Sequence, residues 1–327
     1  MDKRIIIFGG LGFLGSRLAN KLNKIGLEVV VVDKVESKNI LNEKINYIKL
    51  DLTKNSIEDF LDIKKKDIFI NLASRQYHNK IPYFGRQNWF DELNLDVSKQ
   101  TIQLATYKEI AGYIFFSTDM VYGIPQSNNI TEKQITNPIG EYGKSKLKAE
   151  YELLKFSKNK IPLTIFRPRL ISGPGRLGIF KKLFNLIYYS NLVPLIGNGN
   201  NCYQMVSVDD CISAIICSIE NQIPNEIFNL ASQKKIKVKN LINNLIIHAN
   251  SNSKVLPLNA HFIQNILRIS EIFGLNIMHK EQYKIADKDI FLDITKANVL
   301  LNWQPKYDDQ NMINKAYNFW KKSSMIT

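Results

Sequence analysis

Tyr142 and Lys146 stand four residues apart in Glu141-Tyr142-Gly143-Lys144-Ser145-Lys146. On a helix, positions i and i+4 share a face, so the phenol and the ammonium point the same way. A free tyrosine has a pKa of about 10, too high for a base near neutrality. A neighbouring cation favours the phenolate, and each unit of lowering is worth about 1.4 kcal/mol. A tyrosine tuned in this way serves as a general acid/base. A second chemical run is Phe116-Ser117-Thr118-Asp119-Met120-Val121-Tyr122-Gly123. It follows an apolar segment, which places the Ser117 and Thr118 hydroxyls at the carboxyl end of a strand, ready to hold a reacting oxygen.

A phosphate-binding turn precedes both. The run Ile5–Phe8 enters Gly9-Gly10-Leu11-Gly12-Phe13-Leu14-Gly15, with glycines at 9, 12 and 15 and a helical pattern after them. Glycine lets a backbone turn tightly and approach a pyrophosphate, whose charge a helix N-terminus favours. Asp33 ends the next apolar run, where a carboxylate accepts both adenosine ribose hydroxyls and repels a 2′-phosphate. NAD is therefore expected over NADP, although Arg17 and Lys34 are cations within sequence reach of a phosphate. Asp51 closes the third run and reads equally as an adenine contact or a helix cap.

The elements that must carry these groups follow from periodicity. Continuous apolar runs at 4–8, 28–32, 45–50, 67–72, 113–117 and 163–167 read as strands buried on both faces of a parallel sheet. Segments 12–25, 94–109 and 142–157 carry apolar residues at three- and four-residue steps and read as helices, with Asn94 starting its own. The order predicts an α/β chain, a Rossmann-type doubly wound parallel sheet with a smaller, mostly helical C-terminal substrate domain. Positions 1–170, with 201–233 returning to them, are expected to form the dinucleotide-binding part; 171–200 and 234–327 form the substrate part. Residues 75–86, polar, aromatic and basic, follow a strand end; they read as a substrate loop carrying Arg75, His78 and Arg86, or equally as a solvated loop.

Composition narrows the class further. The formal charge of the 327 residues is +14, but the lysines are dispersed, so it reads as a compositional bias rather than a nucleic-acid patch, while a positive field still helps to draw in an anionic cofactor or substrate. The three cysteines, Cys202, Cys211 and Cys217, form no Cys-x-x-Cys pair, so neither a disulfide framework nor a metal site is expected. No apolar run is long enough for a membrane span or a signal peptide, and a cytoplasmic location is expected.

Taken together, these motifs resemble the extended branch of the short-chain dehydrogenase/reductase superfamily, the NAD-dependent epimerase/dehydratase family. The resemblance rests on the glycine turn, Asp33, Asn71-Leu72-Ala73, Asn94, Thr118, Tyr142/Lys146, Arg167-Pro168, Gly173-Pro174-Gly175, Val208-Asp209-Asp210 and Asn302-Trp303-Gln304-Pro305. It implies Tyr142 as acid/base, Lys146 on the nicotinamide ribose, Thr118 on the substrate and Asn94 in the proton relay. NAD is expected against Gly9, Gly12, Phe13, Leu14, Gly15, Asp33, Asp51, Leu52, Leu72, Ala73, Ser74, Ser117, Tyr142, Lys146 and Pro168. The resemblance also implies a nucleotide-sugar substrate and a homodimer. Two departures stand out. Family dehydratases carry a glutamate where Met120 stands, and methionine cannot abstract a proton, so dehydration is disfavoured. Many family epimerases carry a pyrophosphate-binding arginine where Tyr203 stands, which leaves Arg169 or Arg176 to serve; Asp119 is a further substrate candidate. The leading expectation is a sugar-nucleotide epimerase or related oxidoreductase. The alternative is an NAD(P)-dependent dehydrogenase or reductase of a non-nucleotide hydroxy or keto substrate, such as a sterol-like compound. A dinucleotide-sensing regulator is a third reading, disfavoured by the complete Thr118, Tyr142 and Lys146 set.

Overall fold

A computed structural model describes residues 3–36, 40–77, 81–178, 180–273, 275 and 277–324. The first strand, β1 (Arg4–Phe8), passes through the glycine turn into α1 (Gly15–Lys24), followed by β2 (Glu28–Asp33), β3 (Asn46–Lys49) and β4 (Asp67–Asn71). A long helical stretch comes next: α2 (Arg86–Asp91), a π-helical turn over Glu92–Asp96, and α3 (Val97–Tyr107). The chain then forms β5 (Gly112–Phe116), α4 (Glu141–Ser157), β6 (Leu163–Pro168), β7 (Leu170–Ser172), α5 (Phe180–Tyr188), β8 (Val193–Ile196) and β9 (Met205–Ser207). It ends with α6 (Val208–Glu220), β10 (Glu226–Leu230), α7 (Val238–His248), β11 (Val255–Leu258), α8 (Ala260–Ile272), α9 (Lys280–Tyr283), α10 (Thr295–Leu301) and α11 (Asp309–Ser324).

Seven strands make one sheet in the order β10-β6-β5-β4-β1-β2-β3, all paired in parallel. The continuous apolar runs are explained by burial on both faces. Ile5, Ile7, Val29, Val31, Ile68 and Ile70 share one core with Leu18, Ala19 and Leu22 of α1. Their alternates Ile6, Phe8, Val30, Val32 and Phe69 share the other with Ala105 of α3 and Leu153 of α4. Each fully buried Ile or Val contributes about 1.5–3 kcal/mol, so both sheet faces are strongly specified. A third core forms in the C-terminal half, where Phe184, Leu195, Leu245, Tyr317 and Trp320 join α5, β8, α7 and α11. Short parallel pairs, β7 with β9 and β8 with β11, add strand content to this mostly helical part.

Strand order reverses between β1 and β4, which opens a crevice at their carboxyl ends. The expected helix start at Asn94 is not found. The helical stretch already begins at Arg86, and Asn94 lies inside the π-turn. That turn inserts an extra residue and aims the fully buried Asn94 side chain inward.

Candidate active site

The glycine turn fits a dinucleotide phosphate. Gly9 has φ +73°, and a Cβ there would lie 2.7 Å from the Ala73 nitrogen at the end of β4. A Cβ on Gly15 would lie 2.5 Å from the Gly9 carbonyl oxygen. No side chain caps the first turn of α1, whose N-terminus favours an anion, although the Ser16 amide already bonds the Gly12 carbonyl at 3.0 Å. The Asp33 carboxylate is held at the turn by the Leu11 amide at 3.0 Å and by the Val35 amide at 3.2 Å. Of the two cations near it in sequence, Arg17 is committed to the carbonyls of Phe13 at 2.9 Å and Pro174 at 2.8 Å. Lys34 is exposed. Asp51 acts as a local cap, accepting the Thr53 amide at 3.1 Å and its hydroxyl at 2.8 Å.

The Tyr142 ring packs against two aromatic neighbours. Tyr77 meets it edge-on at 6.0 Å between ring centroids, and Phe90 of α2 lies 5.9 Å away. Burial pushes the phenol up to about 12, against the charge of Arg176 and hydrogen bonding with the Thr118 and Ser74 hydroxyls; Glu281 adds to the rise. Among the described residues, Arg176 is a cation whose charge bears on the phenol. Lys146 shares the helix face but is buried, with its Nζ 4.0 Å above the Phe115 ring. Burial brings the Lys146 ammonium down to about 7, with Glu150 opposing. The expectation that Lys146 acidifies Tyr142 therefore does not hold in the chain by itself, because desolvation of both groups dominates.

A polar chain ties these helices together. Asn94 accepts the Arg75 amide at 2.8 Å and the Ser74 hydroxyl at 3.2 Å, and donates to Ser145 Oγ at 2.9 Å. Ser145 in turn donates to the Tyr142 carbonyl at 2.8 Å. Thr118 caps the turn Asp119–Tyr122 by accepting the Met120 amide at 3.3 Å. The Ser117 Oγ is buried without a partner among the described residues. Asp119 pairs with Arg169, whose guanidinium lies 4.2 Å over the Tyr203 ring. A cavity of about 610 Å³ opens beside Glu141, lined by Arg86, Arg268, Lys280 and Lys284 against Glu141 and Glu271, with Tyr83 and Tyr283.

A model of the NAD dependent epimerase/dehydratase family matches residues 5–231. The chain belongs to this family. It is accordingly an enzyme of an NAD-dependent class. A putative UDP-glucose 4-epimerase of Methanocaldococcus jannaschii is 23% identical, over 98% of this chain and 99% of its own length. A dTDP-D-glucose 4,6-dehydratase of Dictyostelium discoideum is 29% identical over 72% of this chain, which spans 59% of that protein. Among solved structures, a UDP-glucuronic acid 4-epimerase from Bacillus cereus in complex with NAD superposes with a TM-score of 0.77 at 21% identity, covering 98% of this chain and 99% of that one.

Within the family frame, the expected residues divide into those that meet at the crevice and those held elsewhere. Thr118, Ser74, Arg176 and Tyr142 come together. Arg176 also donates to Gln76 Oε1 at 2.6 Å and lies 5.6 Å from the Phe13 ring, beside the glycine turn. Arg75, read equally as a substrate contact or part of a solvated loop, is engaged by Glu92 and the Trp89 carbonyl. Arg86 pairs with Glu271 at 3.0 Å and reaches the cavity rather than the phenol. His78 lies outside the described residues. Met120 and Tyr203 are half-buried, while Leu52 is buried and Leu72 and Pro168 occupy strand ends. Sequence reasoning missed Tyr77, Ser145 and Glu281. Tyr77 lay within the loop that was singled out, and Ser145 within the Tyr-x-x-x-Lys run, but no local signal marked Glu281.

Proposed function

We propose that the chain is an NAD-dependent sugar-nucleotide epimerase or a related oxidoreductase acting at a carbinol carbon. NAD, held by the glycine turn and Asp33, supplies hydride acceptance and return. Tyr142 exchanges the proton of the substrate hydroxyl at its phenolic oxygen, and Thr118 holds the same substrate oxygen. Lys146, poised near neutrality, sits one helical turn below and exchanges its proton without leaving the buried face. The Asn94–Ser145 chain keeps that turn of α4 in place. Met120 gives no carboxylate for dehydration. The convergence of Thr118, Ser74 and Arg176 on the Tyr142 phenol carries this reading. Positions 1–170 with 201–233 serve the cofactor in this reading, and 171–200 with 234–327 serve the substrate.

A second reading, an NAD(P)-dependent dehydrogenase or reductase of a non-nucleotide substrate, draws on Tyr203 and on the engagement of Arg169 by Asp119. Thermal-shift titration of the NAD complex with UDP-glucose, UDP-glucuronic acid and dTDP-glucose separates the two. Stabilisation by one of them is expected; no response to any of the three favours the second reading.

A further inference from the structure

One carboxyl enters the candidate site from the C-terminal part of the chain. Glu281 of α9 is 1% exposed. Its Oε1 accepts the Gly143 amide at 3.0 Å, one residue after Tyr142 and in the first turn of α4. Its Oε2 is buried without a hydrogen-bond partner among the described residues. The helix has no cap of its own, because Gly140 precedes it and offers no side chain to the first-turn amides. Gly140 has ordinary extended backbone, with φ −123° and ψ −178°, so its conformation does not demand glycine. Space demands it: a Cβ there would lie 2.5 Å from both Cγ and Oε1 of Glu281. A second contact runs through the same segment. Tyr77 stacks on His279 at 4.1 Å and meets the Tyr142 ring edge-on.

We propose that Glu281 is the positioning residue for Tyr142, capping the candidate catalytic helix from a segment 138 residues away and seating its first turn against the sheet. The proposal rests on the reading of Tyr142 as the acid/base. Burial raises the Glu281 carboxyl to about 7, so the hydrogen bond to Gly143 holds the turn and charge adds to it only as the group ionises above that value. The same charge makes the Tyr142 proton harder to remove. Around Glu281 stand the Gly143 amide and Tyr77, with Glu141 and Asp119 as neighbouring anions, while the charge of Arg176 opposes that of Glu281 at the phenol. Tyr142 is thus set correctly only when the C-terminal part is docked.

The test needs no substrate. Tyrosine ring carbons are isotope-labelled, Tyr142 is assigned by its loss in Tyr142→Phe, and its ionisation is followed by NMR in the NAD complex. Glu281→Gln keeps an acceptor for Gly143 and removes the charge; its Tyr142 midpoint is expected to fall by about half a unit or more. Glu281→Ala, and Gly140→Ala, which displaces the carboxyl, are expected to raise hydrogen exchange at the Gly143 amide about tenfold or more. A merely structural Glu281 lowers the melting temperature in these variants without moving the Tyr142 midpoint in Glu281→Gln, and that result overturns the proposal. So does unchanged exchange at Gly143 in Gly140→Ala. Lack of turnover of UDP-sugars by the unmodified chain overturns the substrate reading alone and leaves these measurements decisive for Glu281.

Discussion

Two buried ion pairs sit at opposite ends of the same sheet, and they are built differently. At the amino ends of β1 and β4, Arg4 donates to both Asp67 oxygens, at 2.8 and 2.7 Å, and to the Asp62 carbonyl at 2.6 Å. Asp67 also accepts the Lys64 amide at 2.7 Å. At the carboxyl ends of β5 and β6, Arg169 reaches Asp119 through one nitrogen only. Its Nε and NH2 are buried without a partner among the described residues. The rest of its guanidinium packs over the Tyr203 ring, so this pair is built with fewer hydrogen bonds than Arg4–Asp67. The contrast is between these two pairs, since Arg167 of β6, close by, is fully engaged by both Glu150 oxygens and the Tyr122 hydroxyl.

The contrast is sharpest in substitutions that remove one group at a time. Tyr142→Phe is expected to lower turnover by about 10²–10⁴-fold, the usual worth of a positioned acid/base, while thermal melting stays near the unmodified value. A variant that keeps full turnover removes Tyr142 from the chemistry. Asp67→Asn strands a buried guanidinium and is expected to lower unfolding free energy in urea by about 3–5 kcal/mol, with NAD affinity unchanged in the folded protein. Asp119→Asn removes the partner of a guanidinium that is already only partly engaged. A smaller stability loss, about 1–3 kcal/mol, is expected together with weakened substrate stabilisation in thermal shift. Equal urea losses for Asp67→Asn and Asp119→Asn would break the comparison.

The smallest effect is a slope with pH. Lys146 has its pKa lowered from 10.5 to about 7 by burial. Between those values the unfolded chain holds the extra proton, so stability contributed at this site rises with pH and is lost as pH falls toward 7. Against Lys146→Met, the unmodified protein is expected to gain melting temperature steadily across that window. Parallel pH profiles for the two would place the lysine in contact with solvent.

Much of the frame was legible because its signals are local. Continuous Ile and Val runs can be satisfied only by burial on both faces, and they became the strands of one parallel sheet. The glycines at 9 and 15 are explained by backbone approaches that a Cβ would block. Charge alone left Arg75 open between substrate and solvent, since a cation in a loop says nothing of the anion that folding brings to it, here Glu92. Periodicity misled at Asn94, because a π-turn inserts a residue that a regular 3.6-residue pattern does not anticipate.

The amino-acid sequence by itself determined the strand–turn–helix order, the phosphate-binding turn and the shared face of Tyr142 and Lys146, since each depends on neighbours within a few residues. Tertiary structure alone decided what surrounds the phenol: Arg176 from beyond β7, Tyr77 from the loop after β4, and Glu281 from α9. Desolvation and charge act through space, and the groups that set them here are brought together only when distant segments of the chain pack.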